Sequence, residues 1–161
     1  MATYEGKAIR FPEKQVREMG RTESGVRGVN LEKKDRVIAM EIVDRNATAL
    51  SITELGFGKK TKFKEYRLQS RGGKGIINVK VTTKNGKVMN VLTVQEEDEI
   101  IIVTTGAMVV RCPVNQVRTC GRNSQGVRVI RLKEHHKVAS AVRVVEKDEE
   151  GEQLELSEGD K

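Results

Sequence analysis

The loop at residues 69–75 combines residue types that could bind a charged ligand. Its seven residues include three glycines and two cations, and none carries an apolar side chain. Glycine permits positive φ angles and lets a phosphate approach the backbone closely. The exposed N–H groups of such a loop can bind an anion. The predicted chemistry is therefore contact with a polyanion, of which nucleic acid is the commonest. The alternative interpretation is a glycine-rich turn with two solvated cations.

The pattern Arg-x-x-x-Gly of this loop occurs three times. It spans residues 21–25, 71–75 and 122–126, so that successive arginines lie 50 and 51 residues apart. A β-branched residue follows each copy. Glycines at positions 6, 56 and 106 also recur with a spacing of 50. A period near 50 with one basic loop per unit predicts a bladed or repeat architecture.

The elements that must position these loops are predicted to be β-strands. Hydrophobic residues make up 37% and aromatic residues 3% of the 161 residues, so the core must be built from small aliphatic side chains. The apolar runs are short, β-branched and interrupted by glycine, asparagine and charges, which is typical of strands. Three units of about four strands are predicted, at residues 2–46, 47–98 and 99–145. An acidic tail at 146–161 is predicted to be disordered.

The charge of the chain is unevenly distributed. The net charge is +7, but residues 146–161 contain eight acids and only two lysines. The remaining residues carry 28 Lys and Arg against 15 Asp and Glu, a net charge of +13. A basic body with an acidic tail indicates a polyanionic partner and a segment that could compete with it. The alternative for the tail is a solubilising end.

Stacked repeats would bring the three basic loops to one side of the molecule. A curved basic stripe binds duplex DNA through its phosphates without reading bases. Single-strand binders stack bases on exposed rings, so the shortage of aromatic residues favours duplex. On a strand, Lys60, Lys62 and Lys64 would share one face and extend the stripe. The alternative for the arginines is a role in salt bridges between blades. The predicted DNA-binding residues are Arg21, Arg27, Lys59, Lys60, Lys62, Lys64, Arg71, Gly72, Gly73, Lys74, Gly75, Arg122 and Arg128.

Catalytic and metal chemistry find little support in the sequence. It has no P-loop, GxSxG or HExxH motif and no paired-carboxylate arrangement. His135 and His136 align with a turn of the first unit and lack a third ligand at a recognisable spacing. Cys112 and Cys120 lack CxxC spacing, which predicts reduced thiols in a cytoplasmic protein. No catalytic residue, metal, cofactor or small-molecule substrate is predicted for this chain, nor any signal peptide or membrane segment.

Three segments of the chain resemble a known family. Residues 17–28, 56–61 and 121–128 are similar to the C-terminal domain of the DNA gyrase A subunit, whose close relative is the A subunit of topoisomerase IV. The resemblance covers residues 2–145 in three consecutive repeats. Loop 69–75 resembles the gyrase A-box, although Ser70 replaces a basic residue there, so contact with the DNA backbone is the role expected of it. The sequence enters a repeat directly after its first residues and is expected to be part of a longer chain.

The resemblance implies an all-β fold, the β-pinwheel, a propeller-like disc in which each four-stranded blade exchanges a strand with a neighbour. It also implies wrapping of double-stranded DNA around a basic perimeter in support of supercoiling. Strand cleavage and ATP hydrolysis, with their ATP and Mg²⁺, would belong to other domains. The implied partners are duplex DNA, the gyrase B subunit, and the remainder of the gyrase A protein. The competing hypotheses are a topoisomerase IV domain and a bladed protein-interaction scaffold.

Overall fold

The computed structural model describes residues 1–144, which form three antiparallel sheets and no α-helix. The predicted acidic tail lies outside the described residues. Three short 3-10 helices occupy Glu13–Gln15, Phe63–Glu65 and Val114–Gln116. The strands are β1 (Ala2–Thr3), β2 (Lys7–Ala8), β3 (Val37–Ala39), β4 (Thr48–Thr53), β5 (Phe57–Lys62), β6 (Ile76–Ile77), β7 (Val88–Val94), β8 (Glu99–Thr104), β9 (Val109–Pro113), β10 (Val127–Arg128) and β11 (Val138–Val144).

Each of the first two sheets is completed by a strand from the following repeat. The strand orders are β3-β1-β2-β6, β10-β5-β4-β7 and β11-β8-β9. Strand β6 of the second repeat pairs with β2 of the first, with Ile76 opposite Ala8. Strand β10 of the third repeat pairs with β5 of the second, with Val127 opposite Gly58. The predicted all-β, propeller-like fold with exchanged strands is thereby confirmed.

Small aliphatic side chains form the core, as the composition predicts. One cluster joins the second and third sheets and is centred on Leu50, Ile52, Ile100 and Ile102, all of which are fully buried. A second cluster lies between the first and second sheets. Burying such side chains contributes roughly 1.5–3 kcal/mol each. The core therefore also fixes how neighbouring blades lie against each other.

The second cluster contains a buried polar contact. The hydroxyl of Tyr66 donates to Asn78 Oδ1 at 2.5 Å, and Asn78 Nδ2 donates to Ser51 Oγ at 3.0 Å. Burial raises the pKa of Tyr66 to about 12. Tyr66, Asn78 and Ser51 thus satisfy one another's hydrogen bonds inside an otherwise apolar core.

The turn that joins the first two strands of each repeat is built in the same way. The N–H groups of Gly6, Gly56 and Ala107 donate to the threonine carbonyls three residues earlier, at 3.0, 3.1 and 3.0 Å. Their φ angles are 88°, 78° and 57°. The sequence spacing of 50 assigned Gly106 to this position, which was wrong. The third repeat is offset by 51 residues here, so Ala107 takes the left-handed conformation.

Candidate nucleic-acid interface

Two of the three basic loops, 71–75 and 122–126, lie where neighbouring repeats meet. The last glycines of all three loops, Gly25, Gly75 and Gly126, have φ angles of 75°, 71° and 79°. A Cβ on Gly75 would lie 2.6 Å from the carbonyl oxygen of Ala8, and one on Gly126 would lie 2.6 Å from that of Gly58. These two glycines are therefore required by the close passage of the neighbouring strand. This requirement holds whether or not a phosphate binds.

The backbone of loop 69–75 is bound to the first repeat. Gly72 N donates to the carbonyl of Gly28 at 2.9 Å, and the carbonyl of Gly73 accepts from Asn30 N at 2.9 Å. The Lys74 side chain is exposed. Of the loop's predicted contacts, Lys74 thus presents its charge to the surface, while Gly72 and Gly73 use backbone groups to join two repeats.

Arg71 and Arg122 hold adjacent repeats together by similar contacts. Arg71 Nε donates to the carbonyl of Gln15 at 2.9 Å, and its terminal nitrogen donates to that of Arg27 at 2.5 Å. The guanidinium of Arg122 donates to the carbonyl of Ile77, the repeat equivalent of Arg27. Both guanidinium groups thus bind protein carbonyls of the preceding repeat. This geometry supports the alternative interpretation, in which the arginines connect neighbouring blades. The connection runs through backbone carbonyls rather than through salt bridges to acidic side chains.

The backbone at these arginines repeats the pattern. Arg71 N donates to Gln15 Oε1 at 2.7 Å, and Arg122 N donates to Glu65 Oε2 at 2.8 Å. Gln15 and Glu65 lie 50 residues apart in equivalent 3-10 helices. We call each set of contacts an arginine clamp. The first repeat has the corresponding residue, Arg21, whose side chain is exposed.

Two predicted surface lysines are buried, and their assignment to an exposed stripe was wrong. Lys59 is 1% exposed, and its Nζ donates to the carbonyls of Gly121 at 2.8 Å and Arg122 at 2.5 Å. Burial lowers its pKa to about 8. Lys60 is 2% exposed and its Nζ lies 2.5 Å from Glu96 Oε2. Strand β5 lies inside its sheet, between β10 of the third repeat and β4 of its own repeat, and only its last residue, Lys62, is exposed.

Six of the other predicted cations are exposed, although they do not form one row. Strand β5 ends at Lys62, and Lys64 lies in the following 3-10 helix, so Lys60, Lys62 and Lys64 do not share a strand face. Arg128 stacks on Phe57, with its guanidinium carbon 4.9 Å from the ring centroid. The predicted contacts whose side chains are exposed are Arg21, Arg27, Lys62, Lys64, Lys74 and Arg128.

Three exposed arginines that were not among the predicted contacts occupy equivalent positions. Arg17, Arg67 and Arg118 lie 50 and 51 residues apart, and each follows a 3-10 helix by two residues. Arg17 pairs with Glu23 at 3.0 Å. Among the described residues, the side chains of the other two make no hydrogen bond or ion pair. The regular spacing is the sequence signal that could have identified them.

The neighbouring blade fixes the backbone beside two of the exposed arginines, Arg67 and Arg118. The residue after Arg67, Leu68, forms a parallel bridge with Arg10, and the residue after Arg118, Thr119, forms one with Lys60. The backbone is thereby fixed immediately beside each guanidinium group. An exposed arginine on a fixed backbone is suited to phosphate contact, because its planar group can bind two phosphate oxygens.

Within residues 1–144 no group of three or more His, Cys, Asp or Glu side chains could hold a metal ion. Cys112 and Cys120 are free and half-buried, and burial raises the pKa of the Cys112 thiol. No helix in the described part of the chain is long and apolar enough to cross a membrane.

A family model described as "DNA gyrase C-terminal domain, beta-propeller" matches residues 1–44, 48–95 and 98–144. The chain is 38% identical over 163 residues to the DNA gyrase A protein of Staphylococcus aureus strain MRSA252, covering 98% of this chain and 18% of that protein. It is 38% identical over 152 residues to the same protein of strain NCTC 8325 / PS 47. The chain thus spans less than a fifth of the length of these relatives.

Two solved structures have the same fold. One is a DNA gyrase A C-terminal domain, with a TM-score of 0.84 and 26% identity over 89% of this chain and 49% of that chain. The other is the C-terminal domain of DNA topoisomerase IV, with a TM-score of 0.83 and 26% identity over 89% of this chain and 45% of that chain. The three repeats therefore match about half of each of these domains.

Proposed function

Since the chain belongs to the DNA gyrase C-terminal domain family, we propose that it binds double-stranded DNA through phosphates and bends it around the blades, without reading base sequence. The observation that carries this proposal is the recurrence of one exposed arginine, Arg17, Arg67 or Arg118, at the same place in each repeat. Sheet stacking gives equivalent residues equivalent surroundings, so the three form a regularly spaced series. Regular spacing is suited to the phosphates of a duplex.

Electrostatics support this assignment. Residues 1–145 carry 28 Lys and Arg against 15 Asp and Glu. Further exposed cations lie near the arginine series along the chain, namely Arg21, Arg27, Lys62, Lys64, Lys74 and Arg128. About six phosphate contacts would give a slope of log K against log salt near −5. Bending a 20–30 base-pair site costs on the order of 1–6 kcal/mol, which added phosphate contacts can offset.

Within a longer protein, we assign this domain the wrapping step that supports ATP-dependent supercoiling. The chain itself takes no part in catalysis under this proposal. Its partners would be the remainder of the gyrase A protein and the gyrase B protein, whose domains use ATP and Mg²⁺ in the cytoplasm. A topoisomerase IV domain is the second candidate, because the two solved structures match this chain almost equally in TM-score and identity.

The acidic segment at residues 146–161 is proposed to compete with DNA for the basic surface. It carries eight acids in sixteen residues, directly after a body with a charge of +13. A chain lacking these residues should bind a duplex several-fold more tightly at low salt, because no internal anion then occupies the cationic surface. Equal affinities with and without the segment would contradict this part of the proposal.

The experiment that tests DNA wrapping is ligation of relaxed, nicked plasmid in the presence of the protein. Wrapping should shift the distribution of linking numbers after the protein is removed, whereas binding without bending should not. A parallel titration of duplexes of unrelated sequence should give similar affinities and a steep dependence on salt. Absence of duplex binding at low salt would favour a protein-interaction scaffold instead.

A further inference from the structure

The third sheet has an edge that the other two sheets do not have. Strands β6 and β10 complete the first and second sheets, but within the described residues no exchanged strand pairs with β9. The segment of the first repeat that corresponds to β6 and β10, residues 26–29, pairs with no sheet among the described residues. Among chains of these 161 residues, a second copy could supply its segment 26–29 to the edge at β9. Repeated head-to-tail, that contact would form a filament.

Strand exchange in this fold requires a glycine on the accepting turn. The carbonyl of Gly56 accepts from the N–H groups of Val129 at 2.9 Å and Ile130 at 3.1 Å. A Cβ on Gly56 would lie 2.5 Å from the carbonyl oxygen of Ile130. The turn of the first repeat repeats this geometry, since a Cβ on Gly6 would lie 2.6 Å from the carbonyl oxygen of Val79. The clashing carbonyl oxygens belong to the backbone, which cannot move aside as a flexible side chain can. A side chain at this position therefore excludes the incoming strand.

The third turn carries that side chain. Ala107 donates to the carbonyl of Thr104 at 3.0 Å and has a φ angle of 57°, so it occupies the position of Gly6 and Gly56. Its Cβ fills the place that the carbonyl of an incoming residue 29 would need. We propose that Ala107 is a stop, which prevents the edge at β9 from accepting the exchange segment of a second copy and keeps the blades from growing head-to-tail.

Val109 is not the obstacle at this edge. It occupies the position of Gly58, where a Cβ would lie 2.8 Å from Cγ2 of Val129. In the first repeat the residue equivalent to Val129 is Gly28, which has no side chain to collide with. The block therefore rests on the single methyl group of Ala107.

The exchange segment of the first repeat keeps the features that docking requires. Gly25 has the same positive φ as Gly75 and Gly126, but a Cβ on it would meet nothing within 4 Å. On docking, its Cβ would meet an acceptor carbonyl, as those of Gly75 and Gly126 would at 2.6 Å. A side chain at Gly25 should therefore prevent docking; in a single copy it would collide with nothing, although the positive φ strains any residue other than glycine there.

The test compares four chains of 161 residues: wild type, Gly25→Val, Ala107→Gly, and Ala107→Gly combined with Gly25→Val. Sedimentation velocity at up to ~1 mM chain detects contacts with dissociation constants in the millimolar range. We expect no association through this edge in the wild type. The Ala107→Gly chain should form oligomers whose size grows with concentration, and the double variant should lose them. Circular dichroism verifies that all four chains are folded.

Three outcomes would contradict the proposal that Ala107 is a stop. The first is an Ala107→Gly chain that sediments as the wild type does throughout the concentration range. The second is an association of Ala107→Gly that Gly25→Val leaves intact. The third is a wild-type chain that associates and loses this association on Gly25→Val alone, because the edge would then be accepting strands despite Ala107.

Discussion

At the scale of single residues, cations of the same type have different functions in this protein. Lys59 and Lys62 lie three residues apart on β5, yet Lys59 is 1% exposed while Lys62 is exposed. Lys59 donates to two carbonyls of the third repeat, which replace water as its partners. Burial still disfavours its charged form, and the lowered pKa shows that the carbonyls compensate only in part.

The partial compensation of the buried charge can be tested by comparing the pH dependence of stability with and without Lys59. The pKa is lowered from 10.5 to about 8 in the folded chain, so the unfolded chain binds more protons between these values. The contribution of Lys59 to stability therefore rises as the pH rises through this window. Between pH 7 and 10, the unfolding free energy of wild type should increase by about 2–3 kcal/mol relative to Lys59→Met.

Urea titrations at both pH values measure this difference. Lys62→Met is the matched control, because an exposed lysine on the same strand should give no such change. Parallel pH profiles for wild type and Lys59→Met would show that Lys59 does not titrate in this range in the folded chain.

At the scale of elements, the basic loops join neighbouring repeats. Loop 71–75 clamps the first repeat through Arg71, and loop 122–126 clamps the second through Arg122. Glycines at the ends of these loops let the exchanged strands pass. The residue pattern that suggested a phosphate site is thus required for strand exchange.

Alanine substitutions distinguish the arginines of the two clamps, which should contribute to stability, from the exposed arginine of the first repeat, which should not. Arg71→Ala and Arg122→Ala should each lower the unfolding free energy by about 1–3 kcal/mol, because each substitution removes charged hydrogen bonds to carbonyls of the preceding repeat. Arg21→Ala should change it by less than about 0.5 kcal/mol, since its side chain is exposed. Urea unfolding of the three variants measures this. Similar losses at all three positions would contradict a clamp that depends on a preceding repeat.

At the scale of the whole molecule, stacking the repeats gives the exposed arginines a common setting. Arg17, Arg67 and Arg118 follow equivalent 3-10 helices, and parallel bridges fix the backbone beside Arg67 and Arg118. No pair of them is close in sequence, so a common surface can arise only through the stacking of the sheets. This arrangement is the surface to which we assign DNA wrapping.

The triple substitution of Arg17, Arg67 and Arg118 by alanine tests that surface. Loss of three phosphate contacts should weaken binding to duplexes of unrelated sequence about equally and reduce the salt slope by about 2–3. The control replaces Lys33, Lys84 and Lys133, which are exposed and lie in turns before β3, β7 and β11. Fluorescence anisotropy over a range of salt concentrations measures both variants. Equal losses in both would mean that net charge alone determines affinity.

Much of the fold could be predicted from the sequence because its determinants are local. The spacing of Arg21, Arg71 and Arg122 gives the repeat, and short β-branched runs such as that at β8 give strands. Positive φ at Gly75 and Gly126 follows from residue type and position in the loop. These features depend on a few neighbouring residues, which the sequence displays directly.

The roles of the cations were decided by tertiary structure. Whether Lys59 or Lys62 meets water depends on which strand of another repeat covers β5, and that strand lies more than sixty residues away. Arg71 binds carbonyls of the first repeat for the same reason. The turn at Ala107 could be aligned only through strand pairing, because the third repeat is offset by one residue. Residue type and period are properties of the chain, whereas burial and partnership arise only when distant segments pack together.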